Sequence, residues 1–237
     1  MRNATSYSGS LQAIDDLIES GKSLTEALII TGDAKLSELS STLQVKDLVF
    51  RYKGSTVDVL KGVRLTIQKG HYVVLCGGSG SGKTTLLEVL MRFRLPVSGH
   101  VEWDGDDISK ASLDSFRHNV GIMFQKTLII QGTIRDNITF GCEYYTGDDS
   151  EVELAAARAE ILEVIQTLPE GLDTVIGTSE GGMSGGQLQR ICLARALFRK
   201  PSVLLLDEAT RYEYRFCVVL AIRKIFTTLH LCAVAVR

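Results

Sequence analysis

Gly77-Gly78-Ser79-Gly80-Ser81-Gly82-Lys83-Thr84 is the densest run of chemistry in this 237-residue chain, and its spacing is GxxxxGK[ST]. Glycines so placed let successive backbone N–H groups converge on phosphate oxygens, and a following helix adds a partly positive N-terminus. In such a loop the lysine reaches the β- and γ-phosphates, and the threonine hydroxyl completes a Mg²⁺ shell. A second group, Leu204-Leu205-Leu206-Asp207-Glu208, ends a hydrophobic run in two carboxylates. Asp207 suits the task of orienting Mg²⁺ and its waters beside the loop, and Glu208 that of polarising an attacking water. The first run is more than a flexible turn because its glycines and Lys-Thr pair stand between a strand and a helix-forming run, whereas the second, taken alone, reads as a helix cap. Together they make a catalytic pair.

A third motif, Met183-Ser184-Gly185-Gly186-Gln187, is followed by Leu188-Gln189-Arg190 and Leu193-Ala194-Arg195-Ala196-Leu197. A serine and two glycines at a helix start make another phosphate-directed surface, and one chain already has its own. The economical account is that this surface serves a nucleotide held by a second copy. The run resembles the LSGGQ signature of ATP-binding-cassette (ABC) ATPases, with Met for the leading Leu, a volume-conserving swap. Phe124-Gln125 looks like the family's Q-loop, whose glutamine contacts Mg²⁺ and the attacking water. Gln131-Gly132-Thr133-Ile134-Arg135-Asp136-Asn137-Ile138 looks like the GTIRENI segment of exporter-type cassettes, and Tyr52 like the aromatic that stacks on adenine. Glu180 resembles the acidic loop residue that touches membrane-domain coupling helices.

The resemblance covers about Leu43 to Thr210. It implies an α/β P-loop NTPase fold: a mixed core sheet with helices on both faces, an antiparallel β edge near 43–68, and a helical signature lobe at about 126–190. It implies an ATP- and Mg²⁺-dependent motor domain that dimerises around ATP with a second such domain, identical or different. A transporter's transmembrane domain would be its other partner, which puts it on the cytoplasmic face of a membrane. The implied catalytic residues are Glu208, Gln125 and Lys83. Tyr52, Gly77 to Thr85 and Ser184 to Gln187 would bind nucleotide, and Thr84, Gln125 and Asp207 would hold the metal. Residues 1–42 read as a linker and the remnant of a membrane-domain helix, with the ATPase domain over 43–237.

After Thr210 the sequence leaves the family's pattern. A SALD-like D-loop is expected, and the chain reads Arg211-Tyr212-Glu213-Tyr214-Arg215-Phe216, with no aspartate beyond Asp207. Val236 stands where a switch histidine is expected, and His230 lies earlier, inside an apolar run. The tail 211–237 is therefore read as atypical, a truncated or altered C-terminus. An alternative follows from it: a catalytically impaired fragment or regulatory subunit that binds ATP without turnover.

The elements that must position these groups are legible in the periodicity. Leu43, Val45, Leu48, Phe50 and Tyr52, then Val63, Leu65 and Ile67, alternate with polar residues as half-buried strands do, with a turn at Lys53-Gly54-Ser55. Tyr72–Cys76 and Ser202–Leu206 are continuous apolar runs of the kind found in sheets covered on both faces. The spacing predicts helices over Thr85–Leu90, Asp149–Leu168 and Gln187–Phe198, and an N-terminal one over Leu11–Ile30.

Composition excludes other classes. The 26 Lys and Arg against 28 Asp and Glu leave a net charge of −2, which gives no basic footprint for nucleic acid. The five cysteines are odd in number and form no CxxC pair, which argues for a reducing compartment over a disulfide framework or zinc site. The most apolar stretch, Phe216 to Val236, is interrupted by Arg223, Lys224 and His230, so the isolated chain reads as soluble.

Overall fold

The computed structural model describes residues 32–78, 80–124, 128–143, 145–177, 182–207, 217–222 and 232–235. Alternation writes the first sheet. Leu43, Val45, Leu48 and Phe50 of β1 (Thr42–Phe50) and Leu60, Leu65 and Ile67 of β2 (Leu60–Gln68) point into one core. A bulge at Lys46-Asp47, where Asp47 takes φ 49, resets the parity so that Val45 and Leu48 both face inward. Gly99 packs onto that bulge. A Cβ there would lie 2.4 Å from the carbonyl oxygens of Lys46 and Asp47. β4 (Ser98–Trp103) and β5 (Asp106–Asp107) complete an antiparallel sheet of order β2-β1-β4-β5. The Asp104-Gly105 turn between them has positive φ at both residues, the geometry of a tight hairpin.

The core sheet contains β3 (Tyr72–Cys76), β6 (Val120–Met123), β9 (Val203–Asp207), β10 (Cys217–Ile222) and β11 (Cys232–Ala235) in the order β11-β3-β10-β9-β6. It is mixed, as expected. β6 runs parallel to β9 and β11 to β3, and β10 is antiparallel to both its neighbours. Only residues 208–216 link β9 to β10. A link that short closes a hairpin, whereas a parallel crossover needs about a dozen residues or more.

Helix α1 (Lys83–Leu90) lies between the two sheets. Its Leu86, Leu87, Val89 and Leu90 join Leu43, Val45, Val73, Leu75, Val203 and Leu205 in one buried cluster. α2 (Leu113–Asn119), capped by Ser112, adds Phe116 to it. The opposite face of the core sheet meets the C-terminal end of α6 (Gly185–Phe198). A Cβ on Gly121 of β6 would come within 2.8 Å of Pro201 and 3.0 Å of the Ala196 carbonyl.

A second core forms the helical lobe: α3 (Ile134–Thr139), α4 (Asp149–Arg158), α5 (Leu162–Thr167) and α6, around Ile134, Ile138, Val152, Ala156, Ile165 and Ile191. Arg135 ties α3 to α4 through Asp149 (2.8 Å) and reaches Asp173 ahead of β8 (Val175–Ile176), which pairs with β7 (Gly132–Thr133). Those pairings hold the Arg135 guanidinium well above its usual value and the Asp149 carboxyl below its own.

The helix expected over Asp149–Leu168 is two helices. Glu160 takes φ 54, its N–H reaches the Ala157 carbonyl, and the Ile161 N–H reaches the Ala156 carbonyl. This is a Schellman stop without a glycine, and the burial of Ile161 at 0% exposure offsets its strain. The expected N-terminal helix over Leu11–Ile30 lies outside the described residues.

Packing extends ahead of residue 43. Leu39 is buried, and the Asp104 carboxylate accepts the Ser40, Ser41 and Thr42 amides at 2.6–2.8 Å and the Ser40 hydroxyl at 2.8 Å. Burial pushes the Asp104 carboxyl up, and these hydrogen bonds outweigh it, leaving the group below the usual range. A depressed carboxyl contributes stability above its unfolded value and loses it as pH falls through the folded one. Asp104→Ala is expected to cost about 1.5–3 kcal/mol at pH 7. The gap from wild type should close in urea titrations below about pH 4.

Candidate functional site

The loop 77–84 leaves the end of β3 and enters α1, the strand–loop–helix order its sequence requires. Gly80 and Gly82 have φ 80 and 90, a conformation that costs other residues strain. At Gly82 a Cβ would also crowd Leu60 and Val59 at 3.1 and 3.4 Å. The Lys83 side chain turns back into the loop it closes. Its ammonium donates to the Gly77 carbonyl (2.7 Å), the Gly78 carbonyl (2.9 Å) and Ser81 Oγ (3.1 Å), and the residue is only 8% exposed. A buried cation thus sits within a ring of loop backbone at a helix N-terminus, an arrangement suited to an anion. Thr84 is exposed at the first turn of α1 and Thr85 is buried beside it. Ser79 lies outside the described residues.

Tyr52 follows β1, and its hydroxyl is 2.9 Å from Thr85 Oγ1. Phe50 meets the ring edge-on at 5.0 Å, and Arg94, paired with Glu88 at 2.5 Å, places its guanidinium 4.8 Å from the ring centroid. The ring keeps 38% exposure. An aromatic platform is therefore fixed against the helix that the phosphate loop opens. Arg94 was not singled out from the sequence. Its pairing spans the end of α1, where neither helical nor strand periodicity carries a signal.

Asp207 ends β9 and is 7% exposed. Register places it relative to the loop. Val218 of β10 stands opposite both Asp207 and Leu75, so Asp207 is level with Leu75 across one intervening strand, about 10 Å away at two strand spacings. Asp207 and the loop that follows Cys76 thus share one edge of the sheet. Gln125 and Glu208 lie outside the described residues, as do Glu180, Arg211 to Phe216 and His230.

Ser184 to Gln187 open α6 in the other lobe. Ser184 Oγ accepts the Gln187 N–H (3.3 Å), and Gln187 Oε1 accepts the Ser184 N–H (2.7 Å), a reciprocal capping box. Ser184, Gly185 and Gly186 are exposed. Gly186 has ordinary helical φ, and a Cβ there would meet nothing within 4 Å. Among the described residues nothing requires a glycine at that position. Ser184 to Gln187 open the helix of one core cluster, while Lys83 opens a helix of the other.

Large apolar side chains are exposed along the described chain, Phe93, Leu95, Phe124, Leu128 and Phe140 among them. Phe93 and Phe124 stack at 6.3 Å, and Leu128 and Phe140 are 65% and 51% exposed. Among the described residues no group of three or more His, Cys, Asp or Glu is arranged to hold a metal, and no helix is long and apolar enough to cross a membrane.

A family model described as "ABC transporter" matches residues 60–211, stopping where the sequence leaves the expected pattern. The ABC multidrug transporter MDR2 of Trichophyton interdigitale is 42% identical over 177 residues, which cover 74% of this chain and 13% of that protein. The chloroplastic ABC transporter B family member 29 of Arabidopsis thaliana is 43% identical over 177 residues, 74% of this chain and 28% of that one. Among solved structures, a bacterial Atm1-family ABC exporter with ATP bound superposes with a TM-score of 0.69 at 33% identity, covering 77% of this chain and 32% of that chain. The matched part of the chain spans 13% to 32% of the length of these relatives.

Proposed function

The chain belongs to the ABC transporter family, and from that premise we propose that it is the ATP-binding and ATP-hydrolysing motor domain of an exporter-type transporter. Two such domains would close around ATP, each offering its 77–84 loop to one face of a nucleotide and its Ser184–Gln187 helix start to the other domain's nucleotide. The observation that carries this reading is the Tyr52–Thr85 contact at 2.9 Å. It sets an exposed aromatic ring beside the first turn of the phosphate-loop helix, which fits a nucleoside polyphosphate better than a bare anion.

In this reading Lys83 and the loop amides hold the β- and γ-phosphates. Thr84, Asp207 and Gln125 hold a magnesium ion, which supplies charge neutralisation at those phosphates. Asp207, at the end of the sheet from which the loop departs, and the exposed Thr84 of the following helix offer the oxygen ligands that a hard cation prefers. Glu208 accepts a proton from the attacking water. Ser184 and the amides of α6 stabilise charge on the nucleotide of the second copy. The exposed Phe93, Phe124, Leu128 and Phe140 offer an apolar surface to the transmembrane domain, and through it the motor works at the cytoplasmic face of a membrane.

Tyr52→Ala and Tyr52→Phe test the nucleotide reading. Base–aromatic stacking is worth about 1–3 kcal/mol, so Tyr52→Ala should weaken fluorescent-ATP binding roughly 5- to 150-fold. Tyr52→Phe should keep most of the affinity, and inorganic tripolyphosphate should bind wild type and Tyr52→Ala equally. Equal ATP affinity in wild type and Tyr52→Ala would remove the ring from the site.

A further inference from the structure

Asn137 of α3 is 0% exposed, and its side-chain amide is fully engaged. Nδ2 donates to the Ile130 and Thr133 carbonyls, each at 3.0 Å, and Oδ1 accepts the Ile130 N–H at 3.0 Å and Arg195 Nη2 at 2.8 Å. Arg195 of α6 also donates Nε to the Asn137 carbonyl (2.6 Å) and Nη1 to the Leu128 carbonyl (2.7 Å). From a third side the backbone at Gly177 closes in: a Cβ there would lie 2.8 Å from the Ile130 carbonyl and 3.0 Å from Gln131 Cα.

Residues 128–131 are thus gripped by three elements: Arg195 takes the Leu128 carbonyl, Asn137 takes the Ile130 carbonyl and amide, and the Gly177 backbone closes from the side. This is more than packing requires, because a buried amide and a half-buried guanidinium carry a desolvation cost that an apolar pair would avoid. The grip also has a direction. Arg195 sits on the same helix as Ser184, about 16 Å along its axis, and Leu128 follows Gln125 by three residues in the chain.

We infer that Arg195 and Asn137 are positioning residues that fasten segment 128–131 to α6, so that this segment and α6 move as one body. The inference rests on the motor reading above. In that reading Ser184 meets the nucleotide of the second copy and Gln125 meets the chain's own. The Arg195–Asn137 pair then couples the two sites without touching either nucleotide.

The test uses the full chain as wild type, Arg195→Lys and Lys83→Ala. A lysine keeps the charge, but its single ammonium cannot span the Leu128 carbonyl, the Asn137 carbonyl and Asn137 Oδ1 as the guanidinium fork does. Arg195→Lys is expected to lower kcat about 100-fold, the size attached to a misplacement of about 1 Å remote from the chemistry. Its affinity for a fluorescent ATP analogue should stay within about twofold of wild type, a split that general destabilisation would not produce. Without nucleotide, the Ile130 amide should exchange its hydrogen at least about tenfold faster in Arg195→Lys.

Wild-type kcat in Arg195→Lys, or kcat and affinity falling together, overturns the inference. So does unchanged exchange at Ile130. If wild type itself shows no turnover above Lys83→Ala, the motor reading fails, and the exchange measurement decides the fastening on its own. Should Arg195→Lys not fold, Asn137→Ser carries the same measurements, because its short hydroxyl cannot bridge Ile130 and Arg195.

Discussion

Lys83→Ala should abolish Mg-ATP turnover, lowering it at least about 100-fold, the scale seen when one preorganised charge-stabilising donor is removed. ATP affinity should fall about 10- to 150-fold, since hydrogen bonds to charged groups are worth about 1.5–3 kcal/mol. The reason lies in where the ammonium is. It contacts Gly77, Gly78 and Ser81 from inside the loop, so it holds the cradle's shape and supplies its charge together. Lys83→Arg should fail nearly as badly, because a planar fork cannot meet three acceptors that converge on one point. The thermal midpoint should move little, because the acceptors left behind are carbonyls and a hydroxyl at the edge of solvent. Calorimetric titration with Mg-ATP, run beside a melting curve, reads both. Undiminished affinity in Lys83→Ala would mean that the loop is not the phosphate site.

Legibility in the sequence followed the range of the interaction. The phosphate loop, the Asp207 strand and the signature were readable because each is a local segment whose spacing is its function. The β1 and β2 strands were readable because period-2 alternation is visible within nine residues. What the sequence concealed depends on pairs far apart. Nothing local tells Asp104 that it will close over Ser40 to Thr42, or Asn137 that Arg195 will reach it across 58 positions.

The broken helix at Glu160 illustrates a different limit. Its sequence carries no glycine, so the stop is written only in the burial of Ile161, which a helical projection counts as one more apolar position. The tail shows the same dependence on context. β10 fills the slot between the phosphate-loop strand and the Asp207 strand, and the short link at 208–216 makes it enter antiparallel. The family pattern is lost at that link. The sheet still closes because the backbone of Val218 to Ala221 pairs antiparallel with both neighbours, and backbone hydrogen bonding does not depend on side-chain identity.

Gly186→Asp should separate stability from function more sharply than any core substitution. Position 186 is the second residue of α6, exposed, with helical φ and open space where a Cβ would stand. Replacing a helical glycine by alanine removes a penalty of roughly 0.5–1 kcal/mol, and aspartate recovers a smaller part of it. A carboxylate in the first turn adds about 0.3–1 kcal/mol through the helix dipole. Both terms favour the variant, so its melting temperature should equal or exceed that of wild type. Its fluorescent-ATP affinity as a single copy should match wild type, since the 77–84 loop is untouched. Turnover and Mg-ATP-dependent dimerisation should nevertheless collapse, with turnover falling about 100-fold or more, because the new charge faces the place where a second copy's phosphates arrive. Gly186→Ala supplies the intermediate case, with the gain in stability and a loss of function set by size alone. Light scattering after gel filtration with and without Mg-ATP measures the dimer, and a phosphate-release assay measures turnover. If Gly186→Asp turns over ATP at the wild-type rate, the open glycine has no partner phosphate opposite it, and the two-copy arrangement is wrong for this chain.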